Sequence, residues 1–475
     1  MSLTQFRSDI TVSDPLAFFR AGLIGEGMMI PGSKGDVPLI YADYVASGRA
    51  LKQVEEFVAS QVLPYYANTH TQASFCGGYM TRLREDARAE IARLVGADDD
   101  CSVIFTGAGA TAGLNRLVAL LGVNEAVKPV VFIGPYEHHS NILPWRESKA
   151  EVIEIPEAKG GGIDLEALET ALEDHRDCDV KIGAFSAASN VTGILSNQDE
   201  TTRLLKTHGA LAVWDFAGGG PYIPIDMGRG DTAKDAVVTS PHKFPGGPGA
   251  TGVMIVRNSA TQREKPCLPG GGTVSFVSPW GHTYSDNLAV REESGTPNVI
   301  GDIRAALAFM VKDAIGEERI AAREAAFAER AMAAFQAHPQ IQVLGHDTAH
   351  RLPIFSLMIT DVNGAPVHQQ LFTRMLSDLT GIQTRGGCAC AGPYAHRLLE
   401  LSQEESDELF ADLQAGAELR KPGWVRLNFS YLMTDETVDH IISSVLNLAE
   451  TAHIEAENYT ACPKTARFAP RQTAA

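Results

Sequence analysis

The chain has 475 residues, 44% hydrophobic and 21% charged, which is too long for one ordinary core and points to a soluble globular protein of two domains. Its 40 basic and 58 acidic side chains leave a formal net charge of −18, which argues against general nucleic-acid binding and against docking on anionic lipid, since both need clustered Lys and Arg. The start, MSLTQFRSDI, has no basic segment followed by an apolar run, and the seven cysteines are scattered; with no apolar stretch of about 18 residues, the expectation is a cytoplasmic protein with reduced thiols and no membrane span.

Short apolar, β-branched runs alternate with helical patterns from about residue 40 to about residue 310. A helix beginning near Ala50 is expected to bury Leu51, Val54, Val58 and Val62. The strand candidates are SVIFT (102–106), VVFIG (130–134), KIGAFSA (181–187), LAVWDF (211–216), DAVVTS (235–240) and GVMIVR (252–257). Continuous apolar runs of this kind suit strands buried on both faces of a mainly parallel sheet. Asp164 is placed to cap a helix over IDLEALETAL. The fold class is therefore α/β. Beyond residue 315 an Ala- and Glu-rich helix (316–337) leads to LPIFSLMI, a further helix, IQTRGG, WVRLNF and a final helix near 436–455, as in a smaller α+β domain. The expected organisation is an N-terminal segment (1–34) packing with the small domain, a large domain (35–315), the small domain (316–458) and a poorly ordered tail (459–475).

Four motifs carry chemistry. In TSPHKFPGG, Lys243 follows an apolar strand and precedes a Gly/Pro turn, where desolvation makes an amine a nucleophile toward aldehydes. In AVWDFAGG, Asp215 closes the preceding strand, where open α/β sheets bind ligands. In FTGAGATAGLN, a Gly-rich turn opens a helix, so the backbone at Ala110 and the hydroxyl of Thr111 face an anion. In GPYEHHSNILPW, His138 is placed to stack on a flat ring. Each has a bland counterpart: a solvated lysine, a turn cap, a common loop, a surface His pair. Their joint order fits pyridoxal 5'-phosphate (PLP), which needs an amine, an acid for its pyridinium nitrogen and a phosphate cup.

The succession YADYVASG, GATAGLN, EHHSNILPW, SNVTG, WDFAG, TSPHK, ESGTPN, RGGCACAGP and WVRLNFS, spread from residue 41 to about 440, resembles the class V aminotransferase family of fold-type I PLP enzymes. Within it the likeness is to the cysteine desulfurases and selenocysteine lyases of the longer, second group. The resemblance implies a large domain with a mainly parallel seven-stranded sheet and a small C-terminal α+β domain. It implies a Schiff base on Lys243, Asp215 on the pyridinium nitrogen, His138 stacked on the ring and moving protons, and Asn190 near the ring oxygen. Ala110, Thr111, Ser240 and His242 would hold the phosphate. Thr296 would reach the cofactor of a neighbouring subunit, making the protein a homodimer with shared sites. Arg426 and Arg385 would bind the substrate, Arg426 gripping its carboxylate with its fork. Cys390 would accept sulfur as a persulfide, its thiolate favoured by Arg385 and Arg426, before passing it to an acceptor protein. Cys388, two residues away on an expected strand, would face the other side. Cys388, Cys390 and His396 fall short of a four-ligand zinc site, so no metal is expected.

Two features depart from the pattern. Gly218 stands where the family's glutamine usually meets the ring oxygen, which leaves the reaction subtype open. The stretch 397–423 is long and acidic, suited to a helical flap, a partner surface or a solvated helix. Other readings are a β-elimination lyase, an amino-acid epimerase or an aminotransferase in which Cys390 is dispensable, and a PLP-binding module without catalysis.

Overall fold

A computed structural model of the protein describes residues 3–471. Two compact units emerge. The first contains the residues up to Ile24, Ser47–Ala188 and Ser196–Ile320; the second contains Gly25–Ala46, Ser189–Leu195 and the described residues from Ala321 onward.

The first unit is built on seven strands: β1 (Cys101–Gly107), β2 (Pro129–Ile133), β3 (Glu151–Glu154), β4 (Val180–Ser186), β5 (Leu211–Asp215), β6 (Ala236–Thr239) and β7 (Gly252–Arg257). Their order in the sheet is β1-β7-β6-β5-β4-β2-β3. Only β7 runs antiparallel to its neighbours. All six expected strands are present, and the sheet is mainly parallel. The seventh, β3, lies at the edge and carries only exposed and half-buried side chains, so it has no apolar run to find. Ile104, Val131, Ile182, Val213, Val238 and Met254 come from six strands into one core cluster. Full burial of each such side chain contributes about 1.5–3 kcal/mol.

The helices follow from local chemistry. Leu51, Val54, Val58 and Val62 are all buried, on a helix Lys52–Phe57 that widens into a π-turn over Val58–Val62. Asp164 caps Leu165–Asp174 by accepting the N–H of Ala167 at 3.0 Å. Helix Val299–Ile315 is apolar on nearly every face and correspondingly buried.

The second unit holds an antiparallel sheet of β8 (Ile341–Val343), β9 (Ile354–Ile359), β10 (Arg385–Gly387) and β11 (Trp424–Asn428), in the order β8-β9-β11-β10. Helices Gln369–Thr380 and Asp435–Glu455 supply Phe372, Leu376, Ile441 and Val445 to a core with Phe355, Leu357, Val425 and Leu427. The first of these helices stops at Gly381, whose φ is 74°; a Cβ there would also lie 1.9 Å from the carbonyl oxygen of Pro38, so only glycine fits.

Two expectations change, and for 397–423 one of the stated alternatives is favoured. Strand β10 ends at Gly387, so Cys388 is not on a strand and alternation says nothing of where it points. Within 397–423, helix Gln403–Gln414 starts at a capping box of Ser402 and Glu405 and buries none of its residues, as a solvated helix does. The segment after residue 458 is not featureless: Tyr459–Cys462 and Arg467–Pro470 pair as an antiparallel hairpin. Among the described residues no helix is long and apolar enough to cross a membrane.

Candidate active site

In the first unit the expected cofactor residues gather beyond the C-terminal ends of β1, β2, β5 and β6, the side where parallel sheets bind ligands. Strand β6 runs into Ser240 and a single 3₁₀ turn, Pro241–Lys243. Helix Gly109–Leu120 begins after β1, and the N–H of Ala110 donates to Ser240 Oγ at 2.9 Å. A Cβ on Gly109 would stand 3.0 Å from Ser240 Oγ and 3.1 Å from His242 Cε1. The glycine therefore keeps open a cup between these side chains and the helix start. Thr111 Oγ1 and Ser140 Oγ are 2.7 Å apart, and the N–H of Ser140 donates to His138 Nδ1 at 3.1 Å. This link ties the His138 loop to the same cup.

Asp215 is buried and accepts the N–H of Ala217 at 2.8 Å. Burial raises its carboxyl above the ordinary range, while that hydrogen bond and the charge of Lys243 act against the rise. A desolvated carboxylate within electrostatic reach of an amine suits a cationic ring nitrogen. With the cup between the helix start, Ser240 and His242, this donor set fits PLP. Lys243 would hold it covalently, Asp215 would pair with its ring, and Ala110, Thr111, Ser240 and His242 would take its phosphate.

The turn after Asp215 contains Gly218 and is pinned from behind. The ammonium of Lys312 donates to the carbonyl of Gly220 at 2.8 Å and to that of Ile223, and lies 5.9 Å from the ring centre of Phe244, the neighbour of Lys243. Burial lowers this amine to about 8. Thr296 is exposed, on a loop anchored by Glu293. Glu293 accepts from Arg88 at 2.7 Å and 2.9 Å, from Arg84 at 2.5 Å and from the N–H of Phe105, on β1, at 2.7 Å.

In the second unit Arg385 and Arg426 are direct cross-strand partners on β10 and β11. Asp43 lies between them. Its Oδ1 accepts from Arg426 at 3.0 Å, and its Oδ2 accepts from Arg385 Nε at 3.0 Å. Arg426 also donates to the carbonyl of Asn190 at 3.1 Å. The Asn190 amide donates in turn to the carbonyl of Ala389 at 2.9 Å. Ala389 and Cys390 have φ of 54° and 56°, so this hydrogen bond holds a left-handed turn that presents Cys390 as an exposed thiol. His396 is engaged locally, with Gly392 O at 2.8 Å and Ser406 Oγ at 2.9 Å. Among the described residues no group of three or more His, Cys, Asp or Glu could hold a metal ion.

Sequence reasoning gave no role to Asp43, Glu137 or Glu293. All three sit in the quoted motifs YADYVASG, EHHSNILPW and the run into ESGTPN. Their common signal is an acid within a motif, in a chain segment that becomes buried or half-buried, where a charge needs partners.

The aminotransferase class-V model matches residues 40–441. A probable cysteine desulfurase of Halalkalibacterium halodurans is 29% identical over 361 residues, 75% of this chain and 85% of the relative. One of Streptomyces coelicolor is 28% identical over 76% of this chain and 85% of the relative. Among solved structures, a cysteine desulfurase from Thermococcus onnurineus NA1 superposes with a TM-score of 0.71 at 23% identity, covering 86% of this chain and 94% of the other. The cysteine desulfurase CsdA of Escherichia coli gives 0.69 at 23% identity, covering 92% and 98%. These two likenesses bear on the fold, a fold-type I architecture. The family match spans the β1–β7 sheet, the cofactor cup and the Arg385–Arg426 strand pair, and the chain belongs to the aminotransferase class-V family of PLP-dependent enzymes.

Proposed function

We propose that the protein is a cysteine desulfurase or a selenocysteine lyase-like enzyme, which releases alanine from the amino acid and retains the sulfur on Cys390. The chemistry supplied by the bound cofactor is an electron sink that stabilises charge at the substrate α-carbon. Arg426 binds the α-carboxylate. Lys243 would hold the cofactor in the absence of substrate, and its amine would be the base for the α-proton. Asp215 would pair with the ring nitrogen, and His138 would lie against the ring and carry protons. The Cys390 thiolate attacks the substrate sulfur; the Cβ–S bond breaks, Cβ takes a proton, and the products are alanine and a persulfide. Cysteine plus thiol thus balances alanine plus persulfide, with no external oxidant.

The observation that carries this reading is the exposed Cys390, held by Asn190 on a left-handed turn and within electrostatic reach of Arg385. Naming of the curated relatives as probable cysteine desulfurases supports it. The exposed Thr296 loop, with Phe276, Val277 and Trp280 exposed on the hairpin formed by Val274–Ser278 and Gly281–Tyr284, supports assembly as a homodimer with shared sites. A sulfur-acceptor protein completes the scheme. The test is alanine release from a panel of amino acids, with mass spectrometry of Cys390 for an added mass of about 32 Da for sulfur or about 80 Da for selenium. Full alanine release from cysteine by Cys390→Ser overturns the sulfur-acceptor role and leaves an elimination, epimerase or transaminase chemistry. Binding of PLP without turnover of any amino acid leaves a non-catalytic module.

A further inference from the structure

Cys388 and Cys390 share one turn. The N–H of Ala391 donates to the carbonyl of Cys388 at 3.3 Å, and the two residues between them, Ala389 and Cys390, have φ of 54° and 56°, the left-handed pair of a type I′ turn. Two Cα–Cα steps of about 3.8 Å, folded back in this way, leave residues 388 and 390 roughly 5–6 Å apart, within the Cα separation at which a disulfide closes. The turn is held at both ends. Before it, the Gln370 amide donates to the carbonyl of Gly386 at 3.0 Å. After it, helix Gly392–Leu398 buries Tyr394 and Ala395. In the middle, the Asn190 amide holds the carbonyl of Ala389 at 2.9 Å. Cys390 is exposed and Cys388 half-buried, and both are free thiols.

We propose that Cys388 is a resolving thiol, which attacks the sulfur-loaded Cys390 and gives the sulfur a second exit, as sulfide, without an acceptor protein. The inference rests on the reading above, in which Cys390 holds the sulfur as a persulfide. The Cys388 thiol loses its proton to solvent, and the thiolate attacks Cys390 Sγ. A bond forms between the two Sγ atoms, the bond from Cys390 Sγ to the outer sulfur breaks, and the outer sulfur leaves with the electron pair as hydrosulfide. The outer sulfur is thereby reduced and Cys388 oxidised, so the step needs no external oxidant. Return to two thiols takes a dithiol reductant, which leaves as its own disulfide.

The experiment gives the PLP-loaded, fully reduced chain one equivalent of L-cysteine under nitrogen, so that the substrate is consumed and no free thiol remains to act as reductant. Alanine and sulfide are measured, and the alkylated turn peptide is analysed by mass spectrometry. The wild type is expected to release about one sulfide per alanine, and its turn peptide to lose about 2 Da as the disulfide forms. Cys388→Ser is expected to release about 10-fold less sulfide per alanine, or lower still, and to keep an added mass of about 32 Da on Cys390. Dithiothreitol added to that variant is expected to free the retained sulfur. An equal sulfide yield per alanine in Cys388→Ser overturns the proposal. So does a wild type that keeps the persulfide and forms no disulfide, a result that decides whether or not the variant folds. The two readings fail differently: alanine with a lasting persulfide in the wild type removes the resolving role alone, whereas no alanine from either protein brings down the desulfurase reading and this proposal with it.

Discussion

Glu137 accepts two hydrogen bonds from one residue: the backbone N–H of Ser186 at 2.8 Å and its hydroxyl at 2.7 Å. Asn141 adds a third donor at 2.5 Å. The carboxyl thereby ties the loop carrying His138 to the end of β4.

This acid titrates near neutrality. Burial pushes the Glu137 carboxyl up to about 7, with the negative charge of Asp215 adding to the rise and the three donors opposing it. Its folded-state value lies above the unfolded one, so the stabilisation from protonation is complete below about pH 4.5 and is lost as pH rises through about 7. Glu137→Gln removes that dependence. Urea unfolding of the two proteins at pH 5, 6, 7 and 8 is expected to show the variant gaining on the wild type up to about pH 7, then a constant difference. A flat difference across the series contradicts the assignment.

Lys312 satisfies two backbone carbonyls of the turn that follows Asp215. Lys312→Met fills the space but leaves both oxygens without that donor. The expected loss is about 2–4 kcal/mol of stability, together with weaker PLP binding, because the Asp215 turn loosens. Equilibrium unfolding and fluorescence titration with PLP measure the two effects.

Glu293 is the shared partner of Arg84 and Arg88. Burial alone would raise its carboxyl, but hydrogen bonds and charges from Arg88 and the charge of Arg84 more than offset this and hold it below the ordinary range. Its contribution is therefore present above the unfolded value and is lost as pH falls through the folded one. Glu293→Gln leaves buried guanidinium charge poorly compensated, and the expected cost at pH 7 is about 3–5 kcal/mol. Thermal unfolding at pH 7 and pH 4 checks both the size and the narrowing of the gap at the lower pH.

Ala389 carries a φ of 54° just before Cys390. Ala389→Gly is expected to keep stability within about 1 kcal/mol of wild type, while Ala389→Val strains the turn and costs about 1–3 kcal/mol. Alkylation of Cys390 by iodoacetamide supplies the local readout, with the valine variant expected to change the rate. Equal stability of the two variants would show that the left-handed turn does not persist in solution.

Lys243→Ala is expected to abolish the visible band of the bound cofactor, which lies at roughly 410–430 nm for a protonated Schiff base. An unchanged band in that variant removes Lys243 from its role.

The strands were legible because their signals are local. A run such as AVVT is buried at every position and can only be interior strand, and the residues that follow it inherit the ligand-binding edge of the sheet. The readings of Lys243, Asp215 and Ala110 rest on that rule, whereas Ser240 comes only from the family resemblance; the cap at Asp164 is equally local, three residues from the N–H it accepts. The edge strand β3 escaped because its run EVIE places a glutamate on each face and only two apolar residues between them, and the assignment of Cys388 to a strand failed because β10 ends one residue earlier.

Asp43 lies 342 residues from Arg385 and 383 from Arg426, and nothing in the segment YADYVASG names those partners. Composition, periodicity and turn chemistry describe how a residue behaves among its chain neighbours, and they were enough for the strands and helices. Which charge meets which was decided by the register of β10 against β11, which sets two like charges face to face and so leaves an energetic need that only a distant carboxylate, brought there by the fold, meets.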